Sequence, residues 1–382
     1  MALSNEMLEA IRRQSAERLD EVCDLAVRIC NVPAPTGQEQ ERARFVAELL
    51  RERGYEPEID EVSNVYARRG NRGGPVMLVD AHLDTVFPAG TEIDARREGD
   101  WLYGPGVGDN SLSIAAMLVM LDILDDLGIE TAIDLVATAT VGEEGLGNLK
   151  GARAAVDRYQ ERGELAGHLV IDGHLGRVVH VAVGSNRWNV TVTGPGGHSF
   201  GAFGTPSAIH GLGRIIAAIA DLEVPSDPKT TFNVGTISGG TSVNTIAASA
   251  TALIDMRSVD AGELEKLSNA VREIIETAPG PGLETEIEVV GERPAGSMPK
   301  DAPFAQLAAE AIRWVGLTPE FQASSTNMNI PVSRGIPTIC VGISHGERTH
   351  TIHEQVPVAP IPAGLAQLTR LAIEAAEMLS RE

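Results

Sequence analysis

Leu19, Val22, Ala26 and Ile29 recur at three- and four-residue intervals, the spacing that lines apolar side chains along one face of a helix. The segment NVPAPTG breaks that pattern. Thr36 and Glu39 then read as a capping box opening a second helix, which turns Phe45, Val46, Leu49 and Leu50 inward and ends near Gly54. The period changes at GGPVMLVDAHLDTV, a continuous apolar run bounded by glycine and proline that suits a strand buried on both faces. A glycine-rich loop, YGPGVGD, leads into an apolar helix over Ile114–Leu124. IDLVATATVGEEG and GHLVIDG read as two more buried strands. Buried strands alternating with helices predict an α/β domain with a largely parallel sheet.

After Val183 the pattern is different. Trp188–Thr193 alternates as a half-buried strand, and Ile209, Leu212, Ile215, Ile216 and Ile219 form a helix face. Thr231–Ile237 and Ala250–Arg257 read as strands, Leu264, Leu267, Val271, Ile274 and Ile275 as a second helix face, and Thr285–Val290 as a last strand. The order βαββαβ is the ferredoxin-like, split βαβ unit. A helix over Phe304–Val315 and the run GIPTICVGI restore the α/β style. The expected organisation is a discontinuous domain over 1–185 and 294–382 with a small domain inserted at 186–293.

Composition narrows the function. The 382 residues carry 31 Lys+Arg against 53 Asp+Glu, a net charge of −22. Gripping phosphates needs a basic face, so neither nucleic acid nor an anionic membrane is expected as a partner. The N-terminus shows no apolar signal core. The most apolar stretch, Ile114 to Leu121, is broken by Asp122 and is shorter than the ~20 residues a span requires. Cys23, Cys30 and Cys340 form no C-x-x-C pair and read as small buried residues in a reducing, cytoplasmic setting.

Reactive residues gather where predicted strands end, the place where open α/β sheets build sites. His82 and Asp84 form H-x-D; in an extended segment they share a side, so an imidazole can ligate a metal while the carboxylate orients it, or both are structural. Asp109 stands between a glycine turn and a helix start, as a ligand or as an N-cap. Glu143 and Glu144 are adjacent at a strand end, so one can bind a metal while the other faces a cavity; solvated loop acids are the alternative. Asp172 follows an apolar strand, and His350 and His353 lie near the C-terminus. Together these suit a dinuclear centre, with imidazole and carboxylate favouring zinc and leaving manganese or cobalt as alternatives. No P-loop is present. His168, His174, His180, His210 and His345 are assigned to structure.

HLDTV, GVGDN, GEEG, IDG, GPGGHS and H-x-x-x-E occur in this order. The set resembles the cocatalytic di-zinc metallopeptidase family of peptidase T, glutamate carboxypeptidase, acetylornithine deacetylase and aminoacylase, over nearly the whole chain. The resemblance implies a zinc-peptidase-like α/β/α catalytic domain with an inserted ferredoxin-like dimerisation or lid domain, and two Zn²⁺ per chain. It implies that His82 and Asp172 hold one metal, Glu144 and His350 the other, and that Asp109 bridges them. His350 is preferred to His353 because the family's histidine lies four residues before the glutamate, here Glu354. Asp84 would orient His82, Glu143 would be the general base, and the Asp109–Asn110 peptide would be cis. In the inserted domain His198 would stabilise the oxyanion in the partner subunit of a homodimer, with Asn244 and Arg257 binding the substrate's carbonyl and carboxylate.

The implied activity is hydrolysis of di- and tripeptides by a metal-bridged hydroxide, the alternative being N-acyl-amino-acid deacylation of the acetylornithine deacetylase or succinyl-diaminopimelate desuccinylase kind. Asp172 leans toward the first, because the family's peptidases mostly carry aspartate there and many deacylases glutamate. A non-catalytic scaffold would have lost Glu143 or a ligand, and none is missing. The sequence departs from the family in GDNSLSIA, which lacks the frequent lysine after Asp109, and in STNMNIP, where an aspartate is often found. Both departures are expected to touch the substrate surroundings, with Ser111–Ser113 and Ser324–Asn329 contributing to an uncharged pocket.

Overall fold

The structure, a computed structural model, describes residues 3–381. The chain divides into two compact units, Met1–Ala182 with Ser297–Glu382, and Val183–Gly296.

The first unit is built on a mixed sheet. Four parallel strands form its centre, in the spatial order Asp134–Thr140, Val76–His82, Leu165–Ile171 and Thr338–Val341. Val65–Arg69 and Arg177–Ala182 flank them antiparallel. Val76–His82 is buried along its whole length, which explains its unbroken apolar run. Met77, Val79 and Ala81 face the main core, with Leu19–Cys30, Ser113–Asp126, Pro303–Trp314 and Ile361–Leu379 as its helices. Val76 and Leu78 point the other way, into a smaller core with Tyr66, Val136, Ala155 and Tyr159. Helices therefore cover both faces, the α/β/α arrangement.

Two local expectations are corrected. Thr36 and Glu39 do not form a capping box: the helix begins at Gln40, and Glu39 sits at its N-cap without a side-chain cap bond. The Glu39 carboxylate instead accepts the Gly37 amide at 2.7 Å, and the Thr36 hydroxyl is used elsewhere. The apolar stretch at Ile114 is also longer than its sequence signal. The 20 residues Val107–Asp126, a kinked turn at Asp109–Asn110 followed by the helix Ser113–Asp126, are long and apolar enough by length and composition to cross a membrane, with a mean hydropathy of 1.5 in their most apolar window, but 83% of that window is buried inside the protein, as befits a core helix.

The second unit has four antiparallel strands in the order Thr230–Gly239, Ser249–Ser258, Gly184–Thr193 and Glu284–Arg293. The third strand in sequence sits between the first and second, the ferredoxin-like order. Helices Ala208–Ala220 and Ala261–Thr277 close one face over Trp188, Val190, Val192, Ile254 and Met256.

Candidate metal centre

The parallel strands of the first unit all deliver side chains at their carboxyl ends. His82 closes its strand, Asp172 follows Ile171, and Glu143 and Glu144 follow Thr140 by a short turn. His350 comes from the loop after Val341, in a left-handed conformation with φ 64°. Asp109 arrives on the loop before the core helix, whose N-cap is Leu112, so Asp109 is not its cap. Its peptide bond to Asn110 is cis.

These groups converge. Asp109 Oδ1 lies 3.0 Å from His82 Nε2, and its Oδ2 lies 3.1 Å from His350 Nε2. His350 Nε2 is also 2.9 Å from Glu144 Oε1. Donor atoms of His82, Asp109 and Asp172 lie within 4.8 Å of one another, as do those of Asp109, Glu144 and His350, and those of His82, Glu143 and Glu144. His353 is exposed and belongs to none of these groups among the described residues.

Asp84 meets His82 through two groups and holds other partners as well. His82 Nδ1 donates to the Asp84 carbonyl at 3.0 Å, while the carboxylate stands 3.6 Å away. That bond leaves Nε2 as the ligating nitrogen. The fully buried Asp84 carboxylate accepts the amides of Glu143 and Glu144, each at 2.9 Å, and the Thr36 hydroxyl at 2.9 Å.

The Asp109 loop has its own anchor. Buried Glu354 accepts the amides of Gly106, Gly108 and Asp109 at 2.8–2.9 Å. The glycines follow from this: Gly106 has φ 83°, and a Cβ on Gly108 would come within 2.9 Å of the Glu354 carboxylate.

The electrostatics report a shortage of positive charge. Burial raises the Asp109 carboxyl, but hydrogen bonds from His350 and His82 outweigh it and hold the group well below its usual range. Burial opposes charging His82, yet its bonds to Asp109 and Asp84 lift it well above the ordinary imidazole value. Bonds to Asp109 and Glu144 raise His350 to about 10. Burial, then the charge of Asp109, pushes Asp172 up to about 7. Four acids and two imidazoles converging with so little countercharge are a donor set for divalent cations, and the N/O chemistry fits a borderline metal such as zinc. A cavity of about 70 Å³ opens beside them, lined by Asp109, Asp172, His174, Ser113, Ser344 and Thr349.

The remaining residues named from sequence lie in the second unit. His198 pairs opposite Thr245 in a two-residue ladder, and its Nδ1 accepts the amides of Phe200 and Gly201 at 3.3 and 3.2 Å. Asn244 accepts the Ser199 amide at 2.9 Å through its carbonyl. Arg257 pairs with Asp255 at 2.7 Å, an ion pair on its own strand.

STNMNIP carries a buried polar contact. Asn327 is buried, and its amide donates to Asp80 at 2.9 Å and to Thr140 at 2.7 Å. Asp80 also meets His168 Nε2 at 3.2 Å, so the segment braces the strands from within. Glu354 is marked in the sequence only as the glutamate of H-x-x-x-E and Asn327 only as part of a segment near the substrate, so the contacts they make have no signal there. A threonine before a helix looks like a cap, which hides the bond of Thr36 to Asp84.

The fold and the clustered donors define a metal-dependent hydrolase. Residues 78–374 match the peptidase family M20/M25/M40, and the chain belongs to that family. It is 30% identical over 343 residues to a succinyl-diaminopimelate desuccinylase of Nitrosomonas eutropha, covering 82% of this chain and 86% of that one. Its fold is similar to that of a tripeptidase from Staphylococcus aureus, with TM-score 0.80, 21% identity and coverage of 95% and 99% of the two chains. A dinuclear metal-binding peptidase of family M20 from Bacillus subtilis has the same fold, with TM-score 0.69, 17% identity and coverage of 95% and 99%.

Proposed function

We propose that this protein hydrolyses di- and tripeptide amide bonds with a pair of zinc ions. His82 and Asp172 would hold one ion, Glu144 and His350 the other, and Asp109 both. The observation that carries this reading is Asp109 itself, whose two carboxylate oxygens face two different imidazoles. When bound, the ions supply Lewis acidity that activates water near neutral pH and polarises the scissile carbonyl. Glu143, adjacent to a ligand but not needed as one, takes the proton of the attacking water and returns it to the leaving nitrogen. Buried Asp84 keeps both glutamates in place through their amides.

The second unit would act as a dimerisation and lid domain, its edge strand Thr230–Gly239 offering unpaired backbone groups to a second copy. His198 then stabilises the oxyanion in the partner's site, and Asn244 and Arg257 bind the substrate's carbonyl and carboxylate. The domain limits expected from sequence, 1–185 with 294–382 and 186–293, each lie three residues from the limits of the two compact units, and the setting is the cytoplasm.

A second reading is N-acyl-amino-acid deacylation, favoured by the name of the Nitrosomonas eutropha relative. A matched panel separates the two: Ala- and Leu-containing di- and tripeptides beside N-acetyl and N-succinyl amino acids, on protein reloaded with zinc, cobalt or manganese. Peptidase activity predicts higher kcat/KM for the peptides. A value at least tenfold higher for the acylated amino acids, ~1.4 kcal/mol in transition-state binding, establishes the deacylase instead.

A further inference from the structure

We infer that Thr36 is a positioning residue for catalysis, acting through Asp84 on the Glu143–Glu144 pair. The inference rests on reading Glu143 as the base and Glu144 as a ligand. Its geometry is a short relay. Thr36 Oγ1 donates to Asp84 Oδ2 at 2.9 Å. The same oxygen accepts the Glu144 amide at 2.9 Å, and the other accepts the Glu143 amide at 2.9 Å.

The segment that carries Thr36 is moulded to the H-x-D loop. Pro35 and Thr85 form a parallel bridge, the Thr85 amide donates to the Ala34 carbonyl at 2.9 Å, and the Thr36 amide donates to the Thr85 carbonyl at 3.3 Å. Arg42, fully buried, donates to the carbonyls of Val32, Leu83 and Cys30 at 2.7, 2.8 and 3.1 Å. Leu83 is the residue between His82 and Asp84, so its carbonyl is fixed from one side and the Asp84 carboxylate from the other.

Two adjacent glutamates at a strand end diverge, and the value of that divergence depends on where their backbone is held. The Thr36 hydroxyl fixes the rotation of the Asp84 carboxylate about its last torsion. Without it, the carboxylate can turn toward His82 Nδ1, now 3.6 Å away, and the two amides follow. A displacement of ~1 Å at reacting groups costs on the order of a hundredfold in rate, so a fraction of that shift suffices to lower turnover.

The test compares T36V, which keeps the shape and removes the hydroxyl, with T36S, E143Q and the double variant T36V/E143Q, each as full-length protein. At saturating zinc, T36V should lose about tenfold or more in kcat with KM within twofold, and T36S should restore kcat. On the slow residual turnover of E143Q at saturating zinc, T36V should cost clearly less than it does in the parent, because the part of its effect that runs through Glu143 is already lost. Zinc retention by T36V against a chelator should fall severalfold, since Glu144 shares Oδ2 with Thr36. A T36V kcat within twofold of the parent, independent multiplicative effects of T36V and E143Q, or unchanged zinc retention overturns the inference. Parental activity in E143Q overturns the assignment of the base instead, so the two failures are distinguishable. A Thr36 role confined to folding would lower Tm in T36V while leaving the kcat–KM split and zinc retention at parental values.

Discussion

Glu354 Oε1 accepts the backbone amide of Asp109 at 2.9 Å across 245 residues of sequence. With the Gly106 and Gly108 amides, the last stretch of the first unit thereby sets the position of the central carboxylate. Burial, together with the charge of Asp109, pushes Glu354 itself up to about 7 despite those donors. E354Q exchanges an acceptor for an NH₂ group facing N–H donors. It should lose about 2 kcal/mol of stability by urea denaturation and bind metal more weakly by chelator competition. Parental metal affinity in E354Q would show that the Asp109 loop holds its shape without this anchor.

The two neighbouring glutamates should separate cleanly. E143Q is expected to keep near two metals per chain by elemental analysis and lose most turnover, on the order of a hundredfold or more. E144Q is expected to lose metal, because it removes a carboxylate 2.9 Å from His350 Nε2. If E143Q strips the metal and E144Q does not, the roles are exchanged.

Metal removal should destabilise the first unit. Divalent ions present at a thousandfold above their dissociation constant contribute ~4 kcal/mol each, and they offset the burial and the Asp109 charge that raise Asp172. Chelated protein should therefore melt several degrees lower, with recovery on adding zinc. An unchanged melting curve with full metal removal would contradict the cluster as a metal centre.

Asn327 should matter for stability rather than substrate choice. N327L leaves buried Asp80 and Thr140 without their shared amide donor, which costs about 2–3 kcal/mol by urea denaturation. Relative kcat/KM across the substrate panel should stay the same. A changed substrate order with parental stability would return this segment to the substrate side.

The second unit offers a test of assembly. Mixing inactive His198→Ala with inactive E143Q protein should recover part of the activity if His198 serves the partner's site, because one hybrid site is then intact. No recovery after verified subunit exchange places His198 outside that role. Arg257→Ala should raise KM; an unchanged KM leaves Arg257 with its Asp255 ion pair alone.

Much of this architecture was legible because it follows from period. The continuous run at Val76–His82 and the alternation at Trp188–Thr193 each carry a burial pattern that only one setting satisfies. The donors were legible for a related reason: acids and imidazoles at the ends of apolar strands are costly unless something uses them. What supports the donors was hidden. The Thr36 hydroxyl meets a carboxylate 48 residues away, Glu354 meets a backbone amide 245 residues away, and no local periodicity records either contact. The Thr36-x-x-Glu39 pattern misled because a capping box and a strand-loop clamp need the same residue types. Asn327 reads only as part of the substrate surroundings, and its burial against Asp80 and Thr140 leaves no mark in the local pattern.

The chain enters and leaves the Val183–Gly296 unit on neighbouring strands, with Ser185 directly opposite Arg293. Antiparallel partners stand only ~5 Å apart. To the rest of the protein, this whole unit is therefore equivalent to a hairpin turn. Closure entropy grows only with the logarithm of loop length, and a prefolded insert avoids even that. The outer unit can complete its sheet as though the sequence ran on without interruption. Replacing 184–295 by a short glycine–serine turn should leave a chain that still folds and still gathers His82, Asp109, Asp172, Glu144 and His350.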